Sequence, residues 1–271
     1  MSEFSSPPTQ AELDDFFGFA VPPSLARAIA VIAPLSEEGE WTRAWAVLTG
    51  QDIWELARYD NTPVELFSVC GPGVDGIHVG PVIHDPMLGP EFPWGEFCPA
   101  DADGVFLIGN TATEAIERLA SRQLCEMDED DEKELFHKLC DALQIAPAKE
   151  KAPRGSNWGG YPAAQLERIA FAVPKGWKHV PLPDGVGVMA PESTFDPAAP
   201  DAPASGDEEG EPPDLIEEAE RFLAAGFAGS ALLAVRRHLQ TDSVQFSVDI
   251  LKRCYQALGR DALAAAIDNY E

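Results

Sequence analysis

The sequence predicts an α+β fold, in which N-terminal helices precede an antiparallel β-meander with flanking helices. An acidic linker and a small all-α C-terminal region of helical hairpins follow. Three features of the 271 residues lead to this prediction. Apolar residues recur at helical spacing up to about residue 60, short apolar runs alternate with Asp-Gly turns from there to residue 109, and helical spacing returns after residue 214. An apolar content of 45% is enough to bury a substantial core.

The N-terminal segment predicts three helices separated by breaks. Thr9 and Glu12 form a capping box, because each side chain can satisfy a backbone N–H at the start of a helix. Pro22-Pro23 ends that helix and precedes a second one. Gly50 is placed to end a third helix, since glycine readily adopts the left-handed conformation found there.

Asp-Gly dipeptides predict the turns of the meander, because both turn positions need a positive φ. They occur at Asp75-Gly76, Asp103-Gly104 and Asp184-Gly185. Short apolar runs surround them at residues 66–70, 77–79, 82–83, 105–108, 177–180 and 186–189. So many short strands at close range favour an antiparallel meander over βαβ units. Thr111 and Glu114 form a second capping box, which predicts a flanking helix.

Residues 191–213 predict a linker between an α+β domain at 1–190 and helical hairpins at 214–271. The segment contains six prolines and several acids but no lysine or arginine, so it is expected to be extended and flexible. After it, one helical hairpin turns at Gly226 and a second at Gly259. Pairs of this size are weakly similar to solenoid repeats.

Charge narrows the classes of partner. With 46 Asp and Glu against 19 Lys and Arg, the formal net charge is −27. Such a negative field repels phosphate, which argues against nucleic acid and anionic membranes as partners and favours a basic protein. The N-terminus shows no secretory pattern, and the five scattered cysteines are typical of reduced core thiols. We therefore expect a cytoplasmic protein.

No pattern predicts a catalytic residue, a metal or a cofactor. Cys70, His78, His84 and Cys98 are candidates for zinc, but seven, five and thirteen residues separate them, unlike the close pairs of recognisable zinc sites. No Gly-x-Ser-x-Gly motif is present for serine chemistry, and no local signature selects a Cys-His pair. The expectation is a protein that is not an enzyme, while an enzyme of unrecognised type stays open.

Residues 84–99 are the sequence's candidate for a partner-binding surface. Four prolines and three aromatic residues in 16 positions predict a stiff loop, neither strand nor helix. Rigid aromatic residues beside acids have the composition of an interface anchor. The predicted contact residues are Trp94, Phe92, Asp85, Glu91 and Glu96. The alternative is that Phe92, Trp94 and Phe97 simply cover the sheet.

The order of elements resembles the SUKH superfamily over about residues 20–125. The resemblance rests on Glu65-Leu66-Phe67, on Gly73-Val74-Asp75-Gly76-Ile77-His78-Val79-Gly80, and on residues 101–109, Asp-Ala-Asp-Gly-Val-Phe-Leu-Ile-Gly. It implies a bacterial binding protein, often an immunity protein that covers the active site of a toxin. A basic nuclease-type toxin would suit the negative charge of this chain. An intracellular adaptor with a helical tail is the alternative.

Overall fold

A computed structural model describes residues 8–36, 40–53, 59, 61–73, 76–99, 104–127, 132–148, 167–199, 214–239 and 247–269. Over these ranges the α+β prediction is confirmed. The helices are α1 Gln10–Phe17, α2 Pro23–Ile32, α3 Trp41–Thr49, α4 Ala112–Glu126, α5 Glu132–Leu143, α6 Leu215–Ala224, α7 Ala228–His238, α8 Val248–Ala257 and α9 Asp261–Ala266. The strands are β1 Asp52–Ile53, β2 Cys70–Gly71, β3 His78–Pro81, β4 Trp94–Phe97, β5 Phe106–Gly109, β6 Trp177–Val180 and β7 Val188–Pro191.

The predicted helix signals are found in the structure. Thr9 accepts a hydrogen bond from the Glu12 backbone, and the Glu12 carboxylate accepts one from the Thr9 N–H at 2.7 Å, so the capping box is confirmed. Helix α3 ends at Gly50, whose φ of 68° is left-handed. Thr111 caps α4 as expected, whereas the Glu114 carboxylate reaches the N–H of Asn110, one residue further back.

Strands β1 to β5 form the predicted meander, with each strand antiparallel to the next along the chain. Gly80 is required in β3, because a Cβ there would lie 1.7 Å from the carbonyl oxygen of Phe67. Asp75 and Asp103, the first residues of two predicted Asp-Gly turns, lie outside the described residues. The third turn, Asp184-Gly185, lies between β6 and β7, which pair as a separate two-stranded sheet.

The five-stranded sheet has a different core on each face. Trp94 and Ile108 point toward the helices and join the larger core, which includes Trp45 of α3 and Leu119 of α4. The opposite face carries a smaller core made of Leu66, Val82, Phe97, Val105, Ile169 and Val186. Both faces of this short meander are therefore covered by other parts of the chain.

The predicted linker is wrong for residues 191–199. Strand β7 extends to Pro191, a 3₁₀ turn covers Glu192–Thr194, and Phe195 is buried in the larger core. Gly229 of α7 admits that ring, because a Cβ there would lie 3.0 Å from Phe195 Cε2. Proline content alone did not reveal this contact, which is made with a helix about 30 residues further along the chain. Residues 200–213, the rest of the predicted linker, lie outside the described residues.

The C-terminal helices form the two expected hairpins and dock on the preceding part of the chain. Helices α6 and α7 are joined at Gly226, and α8 and α9 at Gly259, both with positive φ. Helix α7 packs against β7, and its Arg236 reaches Glu65, which precedes β2. None of the helices in the described ranges is long and apolar enough to cross a membrane.

Candidate functional site

The segment predicted as a stiff loop, residues 84–99, is only partly a loop. Pro86–Leu88 form a 3₁₀ turn, and Trp94–Phe97 form strand β4. The prediction is wrong for β4, because that strand pairs with β3 on one side and β5 on the other. The 3₁₀ turn lies in the connection between β3 and β4.

The aromatic side chains of this segment belong to the core. Trp94 is 0% exposed and Phe97 2%, while Phe92 is 9% exposed. Trp94 and Phe92 join the helix-side core, and Phe97 lies in the smaller core on the opposite face. The interface hypothesis needed a rigid aromatic residue at the surface. All three aromatic side chains are buried, so none of them is available as an interface anchor. Their positions agree with the alternative, in which they cover the sheet.

The three predicted acids are engaged within the chain. The Glu91 carboxylate accepts hydrogen bonds from the backbone N–H of Ser24, at 2.9 Å, and from the Ser24 hydroxyl. Glu96 forms an ion pair with Arg122 of α4, in which both side chains are mostly buried. Asp85 caps the 3₁₀ turn and faces an arginine of the C-terminal region. Each acid therefore fixes part of the segment in place.

Met87 is the exposed large apolar residue of this segment, and the sequence-based list of contact residues did not contain it. Its exposed fraction of 90% is the highest among the large apolar side chains of the described residues. The Asp85 carboxylate accepts the Met87 N–H at 2.8 Å, and the Leu88 N–H donates to the Asp85 carbonyl. The sequence does carry a signal for this turn, since Asp85-Pro86 is a typical N-cap followed by proline.

A polar cluster lies beside the same segment and links the sheet to the C-terminal helices. We call it the junction cluster and define it as Glu65, Asp184, Arg236 and Tyr255. Arg236 forms ion pairs with Glu65 and, at 2.6 Å, with Asp184. The Tyr255 hydroxyl donates to the second oxygen of Glu65 at 2.7 Å. Arg236 and Glu65 are 3% and 0% exposed, so their charges are almost fully desolvated.

Mutual charge compensation keeps Asp184 and Arg236 ionised. Burial acts to raise the pKa of Asp184, but Arg236 and the backbone N–H groups of Gly187 and Val186 outweigh it, so the pKa is lowered. Burial likewise acts to lower the pKa of Arg236, but the two carboxylates outweigh burial, so the pKa is raised. The cluster thus joins Arg236 to Glu65, 171 positions away in the sequence, and to Asp184, 52 positions away.

His84 and Arg260 lie next to the turn and to this cluster. Arg260, just before α9, places its Nε 3.5 Å from the Asp85 carboxylate and donates to the Met189 carbonyl at 2.5 Å. The buried His84 ring contacts the Phe171 ring, with their centroids 4.5 Å apart. Burial lowers the pKa of His84 well below 6.5, and the neighbouring His179, Arg260 and Arg236 add to this effect. His84 is therefore neutral at pH 7.

The four zinc candidates lie in different surroundings. His78 contacts the Thr62 hydroxyl and the Gly76 carbonyl through its two ring nitrogens, whereas His84 packs on Phe171. Among the described residues, no three His, Cys, Asp or Glu side chains gather as a metal ion would require. Burial raises the pKa of the Cys70 thiol strongly.

Two further cysteines are buried in the same way. Burial raises the pKa of Cys140 to about 11 and that of Cys254 to about 12. These thiols therefore stay protonated at neutral pH and do not supply the thiolate that nucleophilic or metal chemistry needs.

A surface groove of about 350 Å³ lies between α6 and α8. Its lining residues are Glu220, Leu223, Ala224, Arg253, Gln256 and Ala257. Glu220 and Arg253 form a two-point ion pair across it, with N–O distances of 2.5 and 2.7 Å. Both side chains are about half exposed, so the pair is accessible from solvent.

Comparison with known proteins adds no family assignment. The chain matches no family model and no curated protein sequence.

Proposed function

We propose that this chain is a non-enzymatic, acidic module that binds a basic protein. The observation that carries the proposal is the net charge of −27 on a chain of 271 residues. A potential of this sign attracts a basic surface over a distance and speeds the encounter of the two proteins. Among the arginines that pair with carboxylates in the described residues, Arg122, Arg236 and Arg260 are largely buried.

A nuclease-type toxin is the partner class that fits best. A nuclease needs a basic groove to hold its phosphate-rich substrate, and an acidic protein can compete for that groove. The SUKH resemblance implies immunity proteins of this kind. The module would then act as a bacterial immunity protein that covers the toxin's active site.

The chemistry of the buried side chains supports a binding role over a catalytic one. The raised pKa values of Cys140 and Cys254 keep these thiols inert, and burial keeps His84 neutral. The charges of the junction cluster are paired with one another, which is typical of a structural link between elements. Binding requires none of these groups to react.

An adaptor is the second candidate, and the groove between α6 and α8 favours it. Its apolar lining residues and its accessible Glu220–Arg253 pair could accept a short peptide segment. An adaptor would hold two partners at once, one in this groove and one elsewhere. An immunity protein would need a single partner.

The proposal is tested by purifying the tagged chain from its native cells and identifying what stays bound. We expect one basic protein in about equimolar amount, and loss of its nuclease activity when the purified chain is added. A heat-denatured sample of the chain serves as control. Two different bound proteins, one displaced by Glu220→Ala, would support the adaptor. Turnover of a small molecule, or a partner that is acidic, would contradict the proposal.

A further inference from the structure

We propose that His84 makes the contact between the five-stranded sheet and the C-terminal helices sensitive to acid. In mildly acidic solution, helices α6 to α9 open away from the sheet more often, while α3 and α4 stay folded. We call this contact the docking interface and define it as His84, the Asp85–Arg260 pair and the junction cluster. The response is a property of the chain itself and requires no partner.

Buried charges attach the C-terminal helices at the docking interface. On the sheet side, Glu65 precedes β2, and His84 and Asp85 follow β3. Arg236 of α7 pairs with Glu65, and Arg260 lies 3.5 Å from the carboxylate of Asp85. Both arginines and His84 are at most 3% exposed. Arg260 Nη1 has no hydrogen-bond partner in the part of the chain that the structure describes, so this attachment is not fully satisfied.

The His84 ring is enclosed at this interface without a hydrogen bond. It packs on the Phe171 ring, with centroids 4.5 Å apart, and its centroid lies 5.7 Å from that of His179. Neither ring nitrogen has a hydrogen-bond partner among the described residues. The Val186 carbonyl already accepts a hydrogen bond from His179 Nε2 at 2.8 Å. A second N–H on the His84 ring would therefore be buried without a free acceptor, which is unfavourable.

The charges around His84 also disfavour its protonation. Burial lowers the pKa of the ring most, and His179, Arg260 and Arg236 lower it further. The Val186 carbonyl acts in the opposite direction and is outweighed. A proton on His84 thus places a positive charge on the sheet side, opposite two arginines of the helix side.

The carboxylates of the docking interface are engaged elsewhere. Glu65 and Asp184 both pair with Arg236. Asp85 accepts the Met87 N–H and faces Arg260. A protonated His84 would therefore compete with arginine for each of these acids instead of finding one without a partner.

The C-terminal helices hold together among themselves, so they can leave the sheet as one unit. Helix α6 packs on α7 and α8, α7 packs on α8, and α8 packs on α9. The Glu220–Arg253 pair joins α6 to α8 with N–O distances of 2.5 and 2.7 Å. Cooperative units of this kind open at a lower free energy than the whole chain.

Opening removes the penalty on a protonated His84. Once water reaches the ring, its pKa returns to about 6.5. The open form then binds a proton that the closed form does not, so opening becomes easier as the pH falls below 6.5 and hardly changes above it. For one histidine, the opening constant rises by about 20-fold between pH 7 and pH 5.

Hydrogen exchange of the full chain tests this response, with rates corrected for the intrinsic effect of pH. In α7 and α8, we expect the opening constant to rise at least tenfold between pH 7 and pH 5. At pH 5 it should exceed that of α3 and α4 at least tenfold and depend less on low concentrations of urea, because less surface is exposed. Equal opening constants and equal urea dependence in the two groups of helices would show that the chain opens as a whole, which would overturn the proposal.

Substitution of His84 separates its titration from other effects of acid. His84→Gln should reduce the rise in α7 and α8 to less than threefold, whereas His137→Gln, at an exposed position on α5, should leave the rise unchanged. If His84→Gln does not fold, His84→Phe keeps a ring against Phe171 and serves instead. A rise that persists without His84, or that is missing from the unmodified protein, would overturn the proposal.

Discussion

Replacing Arg236 by methionine tests whether the junction cluster holds the C-terminal helices on the sheet. Arg236 is 3% exposed and compensates Glu65, which is 0% exposed, and Asp184, which is 15% exposed. Removing one partner of a buried ion pair costs about 3 to 5 kcal/mol, since the other charge stays buried without compensation. Asp184 keeps the N–H groups of Val186 and Gly187 at 2.8 Å, whereas Glu65 keeps only the Tyr255 hydroxyl. We therefore expect Arg236→Met to lower the unfolding free energy by about 3 kcal/mol at pH 7.

A second substitution identifies the cause of this loss, which is the buried Glu65 carboxylate left without its cation. Adding Glu65→Gln to Arg236→Met should recover at least half of the loss at pH 7.

Urea unfolding followed by tryptophan fluorescence measures these free energies. The matched control is Arg221→Met, because Arg221 is 71% exposed and pairs with Glu218 at 3.3 Å on the surface of α6. That variant should lose less than about 1 kcal/mol. A loss below 1 kcal/mol for Arg236→Met, or no recovery when Glu65→Gln is added, would refute the reasoning about a buried uncompensated carboxylate.

Substitutions at three other positions probe the candidate site. Because burial lowers the pKa of His84 in the folded protein, the imidazole becomes protonated at a higher pH in the unfolded chain than in the folded one. The protein should therefore lose up to about 1.4 kcal/mol of stability per pH unit below 6.5, and equal slopes for His84→Gln and the unmodified protein would contradict this. Asp85→Ala removes the acceptor of the Met87 N–H, so hydrogen exchange at that amide should accelerate, while Asp85→Asn should keep it slow. Trp94→Ala should cost about 3 to 5 kcal/mol in urea unfolding, because the side chain is fully buried; a change below 1 kcal/mol would show that Trp94 is not a core residue.

The helices and their ends were predictable from local sequence. Thr9 with Glu12 and the glycines at 50, 226 and 259 act within one turn of their own helix, so their effect does not depend on the rest of the fold. The antiparallel meander was also predictable from local sequence, because turn dipeptides and short apolar runs alternate along the chain.

The sequence-based predictions were wrong where contacts between residues distant in the sequence determine the structure. Trp94–Phe97 is a strand because β3 and β5 lie on either side of it, although its composition favours a loop. Phe195 is buried because Gly229, in a later helix, leaves room for its ring. The pairing of Arg236 with Glu65 spans 171 positions and has no sequence signal. The exposure of Met87 was not predictable from the sequence either, since composition does not show which residue of a turn points outward.

The association rate of the co-purified basic protein, measured against salt concentration, tests the central claim most directly. Electrostatic steering by a chain of net charge −27 should make this rate fall about tenfold or more between about 0.02 M and 0.5 M sodium chloride. The dissociation rate, which depends mainly on short-range contacts, should change much less over the same range. An association rate that is independent of salt, or one that rises with it, would contradict the account of an acidic module selected to bind a basic protein.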